Sequence, residues 1–202
     1  MHDQPPTPHP DHEPDTGPEH DSEPRPSPAI YVASLADYNN GVLHGRWIDA
    51  ARDPAQLHAD VAAMLATSRQ PDAEEFAIHD YEDFGVCRIH EYDSLELVAR
   101  IARGIRQYGN AFSAWADVHE AEPERFDDFA EAYLGHYDSV QDYAEQVADD
   151  LGYTEELEKL PEAIQPYARI DTAAMARDMT LSGAIYVTPD PSGGIWVFDS
   201  ST

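Results

Sequence analysis

The sequence predicts an α+β fold carried on a chain of small units, and three observations predict it. β-rich runs with turn signals stand near both ends of the body, at residues 29–48 and 183–198. Between them, apolar residues recur at helical spacing. The first 28 residues show neither pattern: nine prolines, seven acids, four histidines and one arginine follow no period. Such a segment buries too little apolar surface to offset its ordering entropy, so residues 1–28 are expected to be a disordered tail. His2, His9, His12 and His20 read as solvated residues of that tail rather than as metal ligands.

The body opens with a β-rich run at 29–35, AIYVASL, followed by the turn signal Asn39-Asn40-Gly41. Residues 42–48 read as the returning strand. Over 54–67, Leu57, Val61, Met64 and Leu65 form a helix stripe, with Asp53 placed to cap it before Pro54. Residues 75–81, EFAIHDY, read as a third strand. A strand, turn, strand, helix, strand order predicts an antiparallel sheet with one helix over 29–93.

The segment 94–136 reads as helical. Leu95, Leu97, Val98, Ile101 and Ile105 mark one apolar face behind the Asp93-Ser94 cap. A second helix is expected over 111–118, with Phe112 and Trp115 one turn apart. Phe126, Phe129, Ala130, Tyr133 and Leu134 predict a third, ended by Gly135. The last segment, 137–202, is expected to hold a helix over 139–151 with Val140, Tyr143, Val147 and Leu151 inward, and a weakly patterned helix over 164–179. It closes on a β-hairpin, 183–187 and 195–198, joined by a long loop.

Composition limits the function. Of 202 residues, 40 are Asp or Glu and only 12 are Lys or Arg, a net charge of −28. Without the tail the remaining 174 residues keep 33 acids against 11 bases, a net −22, so the acidity belongs to the body. Nucleic-acid binding needs a basic face to neutralise phosphates, so neither direct nucleic-acid binding nor an anionic membrane surface is expected. The partner should be basic. Hydrophobic residues at 42% and aromatics at 10% separate the body from a disordered acidic chain. Cys87 is the single cysteine, which excludes an intramolecular disulfide and reads as a buried apolar residue. The polar N-terminus and the lack of any long apolar run predict a cytoplasmic location.

The candidate site is the carboxylates themselves. Fifteen fall between Trp115 and Leu160, opposed only by Arg125 and Lys159. Those singled out are Asp117, Glu120, Glu122, Glu124, Asp127, Asp128, Glu131, Asp138, Asp142, Glu145, Asp149, Asp150, Glu155 and Glu156, with Asp80, Glu82 and Asp83 from the first segment. Asp138, Asp142, Glu145 and Asp149 are spaced 4, 3 and 4, which puts them on one stripe if a helix runs through all four. Neighbours on such a stripe sit roughly 5–6 Å apart, and a DNA strand advances about 3.4 Å along its axis per phosphate. Folding does not require such a concentration of charge. Either salt adaptation, which a single lysine against eleven arginines fits, or presentation to a partner accounts for it.

Catalytic signals are weak. His79 lies among Glu74, Glu75, Asp80, Glu82 and Asp83, but acids are common enough here for chance clusters, and His79 reads as structural. No metalloprotease, nucleophile-elbow, P-loop or dinucleotide motif occurs, and Ser182 has no visible base. No cofactor, no metal and no enzymatic activity are expected.

Three stretches carry a resemblance: IYVASLADYNNGVLHGRWID, EEFAIHDYED and ARDMTLSGAIYV. In order and spacing the chain resembles the ArdA antirestriction proteins of plasmids and transposons, over roughly residues 29–199. The resemblance implies three small domains in a row, at 29–93, 94–136 and 137–202, pairing as a homodimer into an elongated acidic rod. It implies a mimic of B-form DNA that fills the DNA groove of a type I restriction-modification enzyme and protects mobile DNA. It leaves salt adaptation a minor part. A mimic aimed at another basic target, such as a nucleoid protein or topoisomerase, is the second reading. An acidic hydrolase built on His79 is the third. The tail before Ala29 looks like an addition.

Overall fold

In a computed structural model, residues 26–71, 73–120 and 122–201 are described. The disordered-tail expectation falls almost wholly outside them. The described residues form an α+β fold with two three-stranded antiparallel sheets and eight α-helices.

Strand β1 (Ala29–Ser34) is central in the first sheet, between β2 (Gly45–Asp49) and β3 (Phe76–Glu82). Pairing runs Ile30 to Ile48 on one side and Val32 to Ile78 on the other, so apolar side chains meet across the strands. The opening run stops one residue earlier than expected. Ser34, the last residue of the strand, also caps α1 (Leu35–Asn39), its hydroxyl accepting the Asp37 amide, and the Asn40-Gly41 turn follows that helix. The returning strand accordingly begins at Gly45, not residue 42. Helix α2 (Pro54–Leu65) follows its predicted cap, Asp53, whose carboxylate accepts the Ala55 amide at 2.9 Å. It buries Leu57, Val61 and Met64.

Ser94 caps α3 (Leu95–Tyr108), and α4 (Asn110–Val118) turns back at Gly109, whose φ of 77° suits glycine. Gly104 lets the two helices approach. A Cβ there would stand 2.1–2.5 Å from the Phe112 ring. Trp115, fully buried, donates its indole N–H to the Arg125 carbonyl at 2.9 Å.

The expected helix over 126–134 is not one. A 3-10 turn spans Pro123–Asp128, α5 (Phe129–Ala132) lasts one turn, and Tyr133 enters strand β4 (Tyr133–Tyr137). Gly135 is inside the strand, at φ 133°, rather than ending a helix. β4 pairs with β6 (Ile195–Asp199), which also pairs with β5 (Ile185–Pro189), giving the order β4-β6-β5. The hairpin is as expected; its third strand is new. Phe198 on β6 stacks on Tyr186 at 4.9 Å and lies 5.5 Å from Trp115, which joins this sheet to the helical core.

Ser139 caps α6 (Val140–Asp150), so Asp138 lies before the helix and off its stripe. The inward face is centred on Ala144 and Ala148. Val140, Tyr143 and Val147 are only half-buried, and Leu151 is exposed. A short α7 (Tyr153–Glu158) buries nothing. The helix expected over 164–179 begins later: a 3-10 turn holds Gln165–Tyr167, and α8 (Thr172–Leu181) starts behind its cap Asp171.

Candidate acidic interaction surface

The carboxylates named above reach the surface by three routes. Asp80 and Glu82 sit on edge strand β3, just past a bulge opposite Tyr31 and Val32 that inserts His79. All three acids of this group are exposed. Asp83 takes a φ of 60°, and its carboxylate accepts the Ser27 amide at 3.3 Å. His79 packs edge-on against Tyr38, ring centres 4.8 Å apart.

The second group begins on α4 and runs past its end. Asp117, Glu120, Glu122, Glu124, Asp127 and Glu131 are exposed, and Asp128 is half-buried. Cations meet part of it. Arg100 pairs with Asp127 at 2.8 Å, Arg125 lies 3.9 Å from Asp128, and His90 lies 3.2 Å from Glu120.

The third group is different. Asp142, Glu145 and Asp149 project from α6 at spacings of 3 and 4, within about 60° of one another around the axis. All are exposed, as are Asp138, Asp150, Glu155 and Glu156. On α6 the carboxylates are held by neutral donors. The Ser139 hydroxyl donates to Asp142 at 2.6 Å, and its oxygen accepts the Asp142 amide as the cap. Gln141 donates to Glu145 at 3.0 Å, and Gln146 to Asp150 at 2.9 Å. Thr154 donates to Asp149 at 2.6 Å. These bonds fix the carboxylates and leave their charge uncompensated. Lys159, beside Glu156 at 2.6 Å, is the nearest cation in sequence.

Sequence reasoning missed Asp171. It caps α8, and its neighbour Thr172 donates to Glu145 at 3.3 Å, which places the start of α8 beside the α6 stripe. The Asp171-Thr172-Ala173-Ala174 cap was its signal, hidden by the expectation of a helix already under way.

Burial raises Cys87 well away from reactivity. Desolvation, helped by Asp117 and Glu120, pushes its thiol up to about 12. Ser182 donates to the Met179 carbonyl at 3.2 Å at the end of α8. Among the described residues, no group of three or more His, Cys, Asp or Glu is placed to hold a metal ion. No helix among them is long and apolar enough to cross a membrane.

Fold and surface together define a small acidic α+β protein whose distinguishing feature is an exposed field of carboxylates. Its sequence is matched over residues 30–192 by the model of the antirestriction protein (ArdA) family. The chain belongs to that family, which interacts with restriction enzymes. No curated protein matches the chain.

Proposed function

We propose that the protein is a non-catalytic mimic of B-form DNA. It competes for the DNA-binding groove in the methyltransferase core of type I restriction-modification enzymes, in the cytoplasm, and so protects mobile DNA. The observation that carries this reading is the α6 stripe: Asp142, Glu145 and Asp149 are exposed, aligned and held by uncharged donors. A DNA groove is lined with lysine and arginine for phosphate. Carboxylates fixed at helical spacing meet such a lining without chemistry, and association releases ions from both surfaces. Without contacts that imitate base edges, one mimic serves against enzymes of differing sequence specificity.

The working unit in this reading is a homodimer of three-part chains divided near residues 93 and 136. Large apolar side chains left exposed in the last part support a second copy there. Leu151, Tyr153, Ile164, Tyr167 and Leu181 are 58%, 44%, 49%, 84% and 78% exposed. A second copy covering them would remove that apolar area from water.

The test is competition. A labelled duplex bound to a purified type I methyltransferase core is titrated with the protein across a salt series. Displacement that weakens with salt supports the reading. Failure to displace, with displacement from a nucleoid protein or topoisomerase instead, transfers the mimicry to that target. Failure with all of them removes it.

A further inference from the structure

Three of the eleven cationic residues outside the tail sit on α3. Arg100, Arg103 and Arg106 recur every third residue, each step turning back about 60° around the axis, so Arg103 lies between the other two. Arg106 pairs with Asp49 at 2.5 Å and Arg100 with Asp127 at 2.8 Å. Arg103 is exposed and makes no ion pair or side-chain hydrogen bond among the described residues. Beside it opens a recess of about 440 Å³, rimmed by Arg100, Arg103, Tyr108 and Asp127 over Phe112 and Phe126. The Arg100 guanidinium stands 5.5 Å from the centre of the Phe126 ring. Asp127 already answers Arg100, so Arg103 is the rim charge left over, and in a body of net charge −22 an open recess with that spare arginine and an aromatic floor suits an anionic occupant.

The chain itself brings one alongside. The Pro28 carbonyl accepts the Ala50 amide at 2.9 Å, and Ala50 follows Asp49, the partner of Arg106. The N-terminal segment therefore joins the body next to the arginine band. Residues 11–23 hold six carboxylates, no lysine or arginine, and Pro14 and Pro18. At about 3.1 Å per extended residue they reach roughly 9–46 Å from Pro26, while the band from Arg100 to Arg106 spans about 9 Å. Prolyl rings settle on aromatic grooves, and carboxylates bridge guanidinium groups through paired hydrogen bonds.

We propose that residues 11–23 dock in this recess of their own chain, with carboxylates on Arg103 and Arg100 and a prolyl ring against Tyr108. Docking covers the arginine band with acid and makes the negative surface continuous across α3. The inference does not depend on which enzyme the acidic surface meets.

The test uses the full chain. A nitroxide is attached at Ser22→Cys, Cys87 being buried, and the broadening of backbone amide signals is read by NMR. Docking predicts broadening at residues 100–108 in low salt, lost at about 1 M salt, where the Debye length is about 3 Å. It is also lost in Arg103→Glu, and in E19Q/D21N/E23Q, a tail variant that leaves every described contact of the body in place. Broadening that is absent at low salt, or that survives both variants, overturns the proposal. So does broadening that arises only between a labelled chain and a second, unlabelled one.

Discussion

Neutralising the α6 stripe should weaken binding and leave folding almost untouched. In the triple variant D142N/E145Q/D149N each amide keeps an oxygen for the donors that hold it: Ser139, Gln141 and Thr154. Two terms act on stability. Adjacent stripe charges about 6 Å apart repel by roughly 0.7 kcal/mol in water, and screening at physiological salt about halves that. Relief over two neighbouring pairs is then about 0.6 kcal/mol. Against it, Asp142 sits in the first turn of α6, where a negative charge contributes about 0.3–1 kcal/mol. The terms nearly cancel, so Tm should move by less than about 2 °C. Binding has no such cancellation. Three carboxylates, each facing a cation about 5 Å away, contribute roughly 0.8 kcal/mol apiece at low salt, or about 2.5 kcal/mol together. The inhibitory concentration in the duplex-competition assay should rise roughly 30- to 100-fold. The salt dependence should flatten as well. Unchanged competition at low salt, with Tm also unchanged, refutes the assignment of the stripe to the binding surface.

Three further outcomes follow from the interior. Gly104→Ala should lower Tm by about 4–8 °C, because the new methyl meets the Phe112 ring and overpacking costs about 2 kcal/mol; a stable variant with an unshifted Phe112 would contradict the packing of α3 on α4. Hydrogen bonds from Ser68 and then Ser34 hold the Asp37 carboxyl below its usual range. Its depressed value gives stability that is present above the unfolded carboxyl pKa, about 3.9, and is lost as pH falls through the folded one. Ser68→Ala should therefore raise the Asp37 pKa and move acid unfolding to higher pH, which carboxyl NMR titration and thermal melts at low pH read directly. Cys87, buried with its thiol near 12, should resist a thiol-directed reagent in the folded protein and react at once in denaturant; rapid labelling of the folded chain would place it at the surface instead.

Local signals carried much of the fold. Asp53 before Pro54 and Ser94 before Leu95 both cap helices where their side chains can accept backbone amides, a property of two or three residues that needs no distant partner. Pairing across the chain was not legible. Phe126, Phe129, Tyr133 and Leu134 have helical spacing, yet Tyr133 opposes Phe198 on β6, sixty-five residues on, and stacks on Phe129 with rings 5.2 Å apart. A non-local strand partner outweighed a local period. α7 went unread because it buries nothing and so leaves no stripe. The acidic surface divides the same way. Its exposure follows from charge, and the Gln141–Glu145 and Gln146–Asp150 bonds follow from i, i+4 spacing. The Arg100–Asp127 pair and the Thr172–Glu145 bond join segments 27 residues apart, and no periodicity announces them.

The α6 arrangement is poorly suited to stabilising a fold and well suited to presenting charge. The helix buries only Ala144 and Ala148, which lets it lie close to α8 but returns little apolar area. Its further support comes from Tyr143 against Tyr137, ring centres 5.1 Å apart, and from the Ser139 cap. A helix so lightly anchored would gain from lysine or arginine at Gln146, clear of the first turn, where it would form an i, i+4 ion pair with Asp150 worth about 0.2–0.3 kcal/mol. Glutamine there forgoes that gain and, with Gln141, keeps the carboxylates hydrogen-bonded. The same residues thus hold the carboxylates still and leave them charged, the combination a basic groove requires. Gln146→Lys should stabilise α6 slightly while weakening competition. Salt adaptation alone offers no reason for those two effects to oppose each other, and a Gln146→Lys variant that competes undiminished would return the stripe to a role in solubility.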